Sequence, residues 1–177
     1  MTATDFVARL AATRIGTTFN QYATGERAPL RRARLAAYLA ARADAELLLV
    51  GEAPGYRGAR VSGIPFTSER QLTGSGPAEA SATVVHDVLR ALGIEERVLL
   101  WNAVPTHPGT ATSNRAPRAA EIVAGRAFVE ELAVGRHVVA VGRVAWRATG
   151  APFVRHPSRG GAAAFRSGLA EVVGRLG

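Results

Sequence analysis

Three side chains of complementary chemistry stand at the ends of apolar runs. Glu52 follows Leu47-Leu48-Leu49-Val50-Gly51, Asn102 follows Val98-Leu99-Leu100-Trp101, and His156 follows Pro152-Phe153-Val154-Arg155. A carboxylate can balance developing positive charge or orient a water, and an imidazole can donate to an atom that gains negative charge. An amide offers a donor and an acceptor side by side. Four or five consecutive apolar residues bounded by turn formers predict a strand covered on both faces, the pattern of a parallel sheet. Ligands bind beyond the carboxyl ends of such strands, so acid, amide and imidazole converge on one rim. Singly, each has a plainer reading: a helix-capping carboxylate, an amide that satisfies a loop, a hydrogen-bonded structural histidine. Their convergence is what points to a site.

The elements that must position these residues alternate. Apolar spacing predicts a helix near Asp5 to Thr13 and another from about Pro29 to Arg42, with Pro29 suited to a first turn. After the first strand, Tyr56 to Gly76 is rich in Gly, Ser, Thr and Arg, and a loop that long is usually functional or disordered. Helix resumes at Pro77, with Glu79 in its first turn, and ends at Gly93. A polar loop from Pro105 to Ala116 precedes a helix from Pro117 to about Leu132, then a strand His137–Val141 and a short helix through Thr149. A fourth strand lies near Phe153. Gly160 and Gly161 open a last helix whose apolar face carries Phe165, Leu169, Val172, Val173 and Leu176. Strands alternating with helices imply an α/β protein, a three-layer α/β/α domain around a central four-stranded parallel sheet.

Composition narrows the chemistry. At 177 residues and 47% hydrophobic content, the chain reads as a single globular domain over residues 1–177. No apolar run approaches the ~20 residues of a membrane span, and Met1-Thr2-Ala3-Thr4-Asp5 lacks the sections of a signal peptide, so a cytoplasmic monomer away from membranes is expected. Without cysteine there is no disulfide, thiolate nucleophile or cysteine-ligated iron–sulfur cluster. All 22 basic residues are arginine, so no lysine can form a Schiff base. No zinc-site spacing and no Gly-x-Gly-x-x-Gly fingerprint occurs.

The net charge of +8 is uneven. Four arginines lie between Arg31 and Arg42, and from Arg136 onward seven arginines face one acid, Glu171. Such an excess favours polyanionic partners, although a GC-rich genome also spends arginine on solvated faces.

Several motifs come in a telling order: Gly51-Glu52-Ala53-Pro54-Gly55, Gly63-Ile64-Pro65-Phe66, Asn102-Ala103-Val104, Asn114-Arg115-Ala116-Pro117 before Glu121-Ile122, Val141-Gly142-Arg143-Val144-Ala145, and His156-Pro157-Ser158. From about Leu47 to Phe165 this order resembles the uracil-DNA glycosylase superfamily, in particular its bacterial and archaeal iron–sulfur branch. Departures are specific. Thr106 and Gly125 stand where that branch has cluster cysteines, and Arg57 and Arg60 replace acids that commonly follow the first motif.

The resemblance implies a monofunctional enzyme that hydrolyses the N-glycosidic bond of uracil or another deaminated base in DNA, with no metal or organic cofactor. Breaking that bond develops positive charge on the sugar and negative charge on the base. Glu52 would stabilise the sugar and orient water, while His156 would donate to a base oxygen. Asn102 would accept from uracil N3–H and donate to O4. Phe66 would stack on a base removed from the duplex, although core packing would also explain it. Gly51 and Ala53 would border the base, and Tyr56 could guard its C5 position. Ser158, Arg159 and Gly160 form a DNA-contacting turn in which Arg159 could wedge into the duplex or hold a phosphate. His86 and His137 read as structural. His107, in an open loop after Asn102, could instead trap the sugar covalently, as in a neighbouring branch. A non-catalytic DNA-binding member of the fold and a nucleoside or nucleotide hydrolase are the remaining alternatives.

Overall fold

Side chains alternate across a strand, so a strand apolar at every position must be covered on both faces. The computed structural model, which describes residues 2–176, shows this for Leu47–Gly51 (β1) and Val98–Asn102 (β2), both buried throughout. With His137–Val141 (β3) and Phe153–Val154 (β4) they form an all-parallel sheet in the order β2-β1-β3-β4. Leu48 and Val50 face a core built with Ala3–Ala12 (α1), Ala28–Ala41 (α2), Ala119–Ala133 (α6) and Arg143–Thr149 (α7), through Phe6, Leu10, Leu35, Leu39, Phe128 and Ala145. Leu47 and Leu49 face a second core with Ala80–Ala91 (α5) and Ala162–Gly174 (α8), through Val85, Leu89, Phe165 and Leu169. The result is the expected three-layer α/β/α arrangement. Each fully buried Leu or Phe contributes about 1.5–3 kcal/mol relative to an exposed one. No helix among the described residues is long and apolar enough to cross a membrane.

The chain leaves β1 toward the α5 face and leaves β3 toward the α7 face, which opens a crevice between the carboxyl ends of these adjacent strands. β2 is an edge strand. Tyr38 of α2 blunts it by accepting the Leu100 N–H at 2.7 Å, and burial pushes the phenol well above its ordinary range.

Several boundaries differ from the expectations. The helix expected from Pro77 starts at Ala80, and Glu79 is its N-cap residue instead of lying in the first turn. The fourth strand has two residues because only Phe153 and Val154 pair with β3. Leu176 lies beyond α8 and is exposed, so it does not extend the apolar face. The stretch from Tyr56 to Gly76 carries two short helices, Ala59–Ser62 (α3) and Glu69–Thr73 (α4).

The arginines of α2 hold that stretch in place. Glu69 receives Arg34 at 2.8 Å and Arg27 at 2.6 Å, Arg34 also donates to Ser62 O, and Arg31 donates to Val61 O and Gln21 O. Arg32 donates to Tyr22 O, and Arg42 pairs with Glu96. The basic run from Arg31 to Arg42 is therefore committed to the protein's own carbonyls and carboxylates, not displayed to a polyanion.

A second clamp fixes the loop before α6. Glu121, 1% exposed, accepts from Arg115 Nη1 at 2.8 Å and Nη2 at 2.5 Å and from the Arg118 N–H at 2.8 Å. The hydrogen bond from Arg115 chiefly holds its carboxyl at about 2, against an ordinary 4.5. A depressed carboxyl stabilises fully above its unfolded pKa, and that contribution disappears as pH falls from there toward the folded value. Glu121→Gln should cost roughly 3 kcal/mol near neutral pH and flatten the wild-type loss of stability between about pH 4.5 and 2. Urea denaturation across that range checks this, and an unchanged pH slope would contradict it.

Candidate active site

Strand register brings the expected residues to one rim. Gly51 and Asn102 are partners at the ends of β1 and β2, and the ladder continues past them through Ala103 N–H to Gly51 O at 2.8 Å and Val104 N–H to Glu52 O at 3.0 Å. On the other side, the Gly142 N–H donates to Val154 O at 2.8 Å, which ties the exit of β4 to that of β3. Gly142 has φ +89°, and a Cβ there would lie 3.3 Å from His156 Cβ, so the turn after β3 passes directly beside the histidine.

One half of the site is the slot where the Phe66 ring, Gly51 and the Asn102 amide meet. A Cβ on Gly51 would lie 2.2 Å from Phe66 Cζ and 3.0 Å from Asn102 Oδ1, so ring, glycine and amide touch. Asn102 is 4% exposed, and its side chain makes no hydrogen bond to the described protein. A buried amide left open in this way is a place for a polar partner. Phe66 packs on the second core, as its plainer reading has it, and keeps part of its side chain exposed.

Phe66 and Arg159 are the two non-glycine residues with positive φ among the described residues, at 53° and 52°. Such a conformation costs about 1–3 kcal/mol and persists only where the surroundings enforce it. At Phe66 they do. Ser62 Oγ donates to Thr67 O at 2.6 Å, Tyr22 Oη donates to Gly63 O at 2.9 Å, and Thr67 Oγ1 donates to Pro65 O while lying 3.1 Å from His86 Nε2. His86 Nδ1 lies 3.0 Å from Glu95, so a histidine expected to be merely structural links α5 to the Phe66 turn.

The other half is electrostatic. The Glu52 carboxylate makes no hydrogen bond within the described protein, which removes the helix-capping reading. Burial raises its pKa, and the charge of Arg159 partly offsets that rise. The Ser158 backbone N–H lies 3.1 Å from His156 Nδ1 and can only donate, and Ser158 Oγ lies 2.8 Å from the same nitrogen. Nδ1 is therefore the acceptor, and in the neutral ring Nε2 carries the proton. Burial pushes the imidazole below its ordinary range. Ser158 thus orients the histidine, while Gly160, at φ +75° with open space around its Cα, completes the exposed turn.

Other expected residues lie elsewhere. Ala53 leans on the first core. Tyr56, held through its N–H by Asn114 Oδ1 at 2.8 Å, lines a neighbouring groove with Arg57, Arg60 and Arg70. His107 is not in an open loop: it is fully buried, with Nδ1 2.7 Å from Pro54 O and Nε2 2.7 Å from Thr110 O. Both ring nitrogens are occupied, so it offers no free nucleophile to a sugar. Thr106 meets Thr18 at 2.5 Å, and Gly125 allows α6 to approach Ala103 O, where a Cβ would lie at 2.2 Å. These two positions serve hydrogen bonding and close packing here.

Sequence reasoning missed Glu79. Its carboxyl lies against Gly55 and Gly58, where a Cβ would come within 2.1 and 1.9 Å of its oxygens, and burial raises its pKa. The two glycines in the turn after Glu52 were the available signal.

Gly51→Ala should leave the fold intact and displace Phe66, reducing affinity for a base-bearing ligand at least tenfold, or about 1.4 kcal/mol. Thermal melting together with ligand titration checks this. Wild-type affinity would show that the slot does not receive the ligand.

No curated protein matches this chain. Among solved structures, that of wild-type SMUG2 from Pedobacter heparinus is similar, with a TM-score of 0.69 at 16% identity, covering 99% of this chain and 98% of that one. Residues 39–171, well over half of the sequence, match the family model described as the uracil DNA glycosylase superfamily. The chain belongs to the uracil DNA glycosylase superfamily.

Proposed function

We propose that this protein is a monofunctional DNA glycosylase that hydrolyses the N-glycosidic bond of uracil, or of another deaminated base, in DNA. One observation carries the reading: an open buried amide beside an aromatic ring shares a rim with an unpaired carboxylate and an imidazole whose proton is held on Nε2. In this reading the base is taken out of the stack and lies on Phe66 over Gly51. The Asn102 amide oxygen accepts from uracil N3–H and its nitrogen donates to O4. Cytosine presents the opposite pattern there.

As the C1′–N1 bond lengthens, the base departs with the bonding electrons and the sugar becomes cationic. His156 Nε2–H donates to the base oxygen where negative charge gathers, and a neutral imidazole can do this without giving up its proton. The Glu52 carboxylate faces the cationic sugar and orients a water, whose oxygen bonds C1′ as its proton passes to Glu52 and from there through solvent to the departed base anion. No step calls for a metal or organic cofactor, and the enzyme works as a monomer. Arginine on the turn after His156, and a net charge of +8, suit a polyanionic substrate better than a free nucleoside.

A panel of oligonucleotides bearing uracil, hypoxanthine or undamaged bases, single- and double-stranded, tests the proposal. Uracil should be excised to leave an intact abasic strand. Because the chain has no lysine, borohydride should trap no side-chain adduct. Absence of abasic sites on every lesion would overturn the enzyme reading.

The same assay has a defined pH dependence. Glu52 must be ionised and His156 neutral, and both conditions are lost on acidification, so kcat/KM should rise with pH through the acid range and then level. Arg159 lowers the Glu52 pKa. Arg159→Ala should therefore move the acid limb to higher pH. A limb that stays in place or moves down would show that Arg159 does not tune Glu52.

A further inference from the structure

The turn that carries Glu52 runs directly into an open groove of about 560 Å³, whose lining includes Tyr56, Arg57, Arg60, Val61, Arg70 and Ala111. Its volume is that of a pocket for a small ligand. Arg57, Arg60 and Arg70 form no ion pair among the described residues, unlike Arg27, Arg34 and Arg42 along α2 and its caps. Arg60 lies over the Phe19 ring at 4.7 Å, which holds its guanidinium in place, and Arg57 is exposed without a partner. The neighbouring acid, Glu79, packs its carboxyl against Gly55 and Gly58, and burial disfavours its charge. The groove thus combines uncompensated positive charge with one aromatic side chain and lies beside Glu52 along the chain.

We infer that this groove receives the nucleotide joined to one side of the flipped residue, its phosphate on Arg57 and Arg70 and its unpaired base on Tyr56. The inference rests on the DNA reading above and adds where the damaged strand runs and in what state. Arginines that track the backbone and an aromatic platform for a base are how proteins hold single strands. In a duplex the flanking base stays paired and cannot lie on Tyr56, so the groove favours damage in single-stranded or frayed DNA. Free phosphate or a mononucleotide would share the charge contacts but lack the covalent link to the base in the Phe66 slot.

The test uses single-stranded oligonucleotides carrying a tetrahydrofuran abasic analogue, trimmed one nucleotide at a time from either end. Binding is followed by fluorescence anisotropy, with uracil excision measured in parallel. Wild-type affinity should fall at least about tenfold when the nucleotides next to the lesion are removed from one end and much less from the other. Arg57→Ala, and Arg57→Ala with Arg70→Ala, should abolish that asymmetry and reduce the slope of log K against log salt by about 0.7 for each phosphate released. Tyr56→Phe should keep the asymmetry and Tyr56→Ala should lose it. If wild type excises uracil but trimming affects it and the arginine variants alike, the groove inference fails while the enzyme reading stands. If wild type neither binds nor excises, both fail.

Discussion

Phe66 lies so close to the Cα of Gly51 that no side chain fits between them, and Asn102 closes the same corner. This contact fixes the position of the Phe66 ring against the end of β1, one residue before Glu52. It requires Phe66 to adopt a left-handed backbone conformation, which costs about 1–3 kcal/mol. The surroundings supply that through hydrogen bonds from Ser62, Thr67 and Tyr22 and through the Glu69 clamp on Arg27 and Arg34. The basic face of α2 is therefore part of the site's construction. Its charge is consumed in holding the loop, and the uncompensated arginines beside Glu52 lie on that loop itself.

The electrostatic half of the rim is set by burial. Desolvation raises the carboxyl of Glu52 and lowers the imidazole of His156, and each shift has a local counterpart: Arg159 moderates the first, and Ser158 fixes the proton of the second on Nε2. Both strained non-glycine residues, Phe66 and Arg159, belong to this rim. Strain gathered where unpaired polar groups also gather is a physical mark of a binding site, independent of any likeness to other proteins.

Much of this was legible in the sequence, for definite reasons. Strands buried on both faces appear as unbroken apolar runs, so β1, β2 and the buried end of β3, with the residues that follow them, could be read directly. The α/β/α layering followed from their alternation with helices. Less could be read where structure depends on pairs distant in sequence. Nothing local to Glu69 announces Arg34, nothing at Glu79 announces Gly55 and Gly58, and His107 looks exposed in a polar loop until Pro54 O and Thr110 O are placed on its ring. The two-residue β4 fell short of its apolar run because pairing to β3, not hydrophobicity, decides where an edge strand ends. The hydrogen bond from Ser158 to His156 depends on the conformation of the turn, which no local sequence signal announces.

In the proposed reaction Asn102 reads the base while Glu52 acts on the sugar. The most direct measurement compares base preference in Asn102→Asp and Glu52→Gln on oligonucleotides containing uracil or cytosine. In Asn102→Asp an oxygen replaces the donor that faces O4, so it repels uracil and can accept from the cytosine amino group. Uracil excision should collapse in that variant while cytosine excision emerges, and Glu52→Gln should slow every substrate by a similar factor. Wild-type uracil excision by Asn102→Asp would contradict it, because the base would then be read somewhere other than the Phe66 slot.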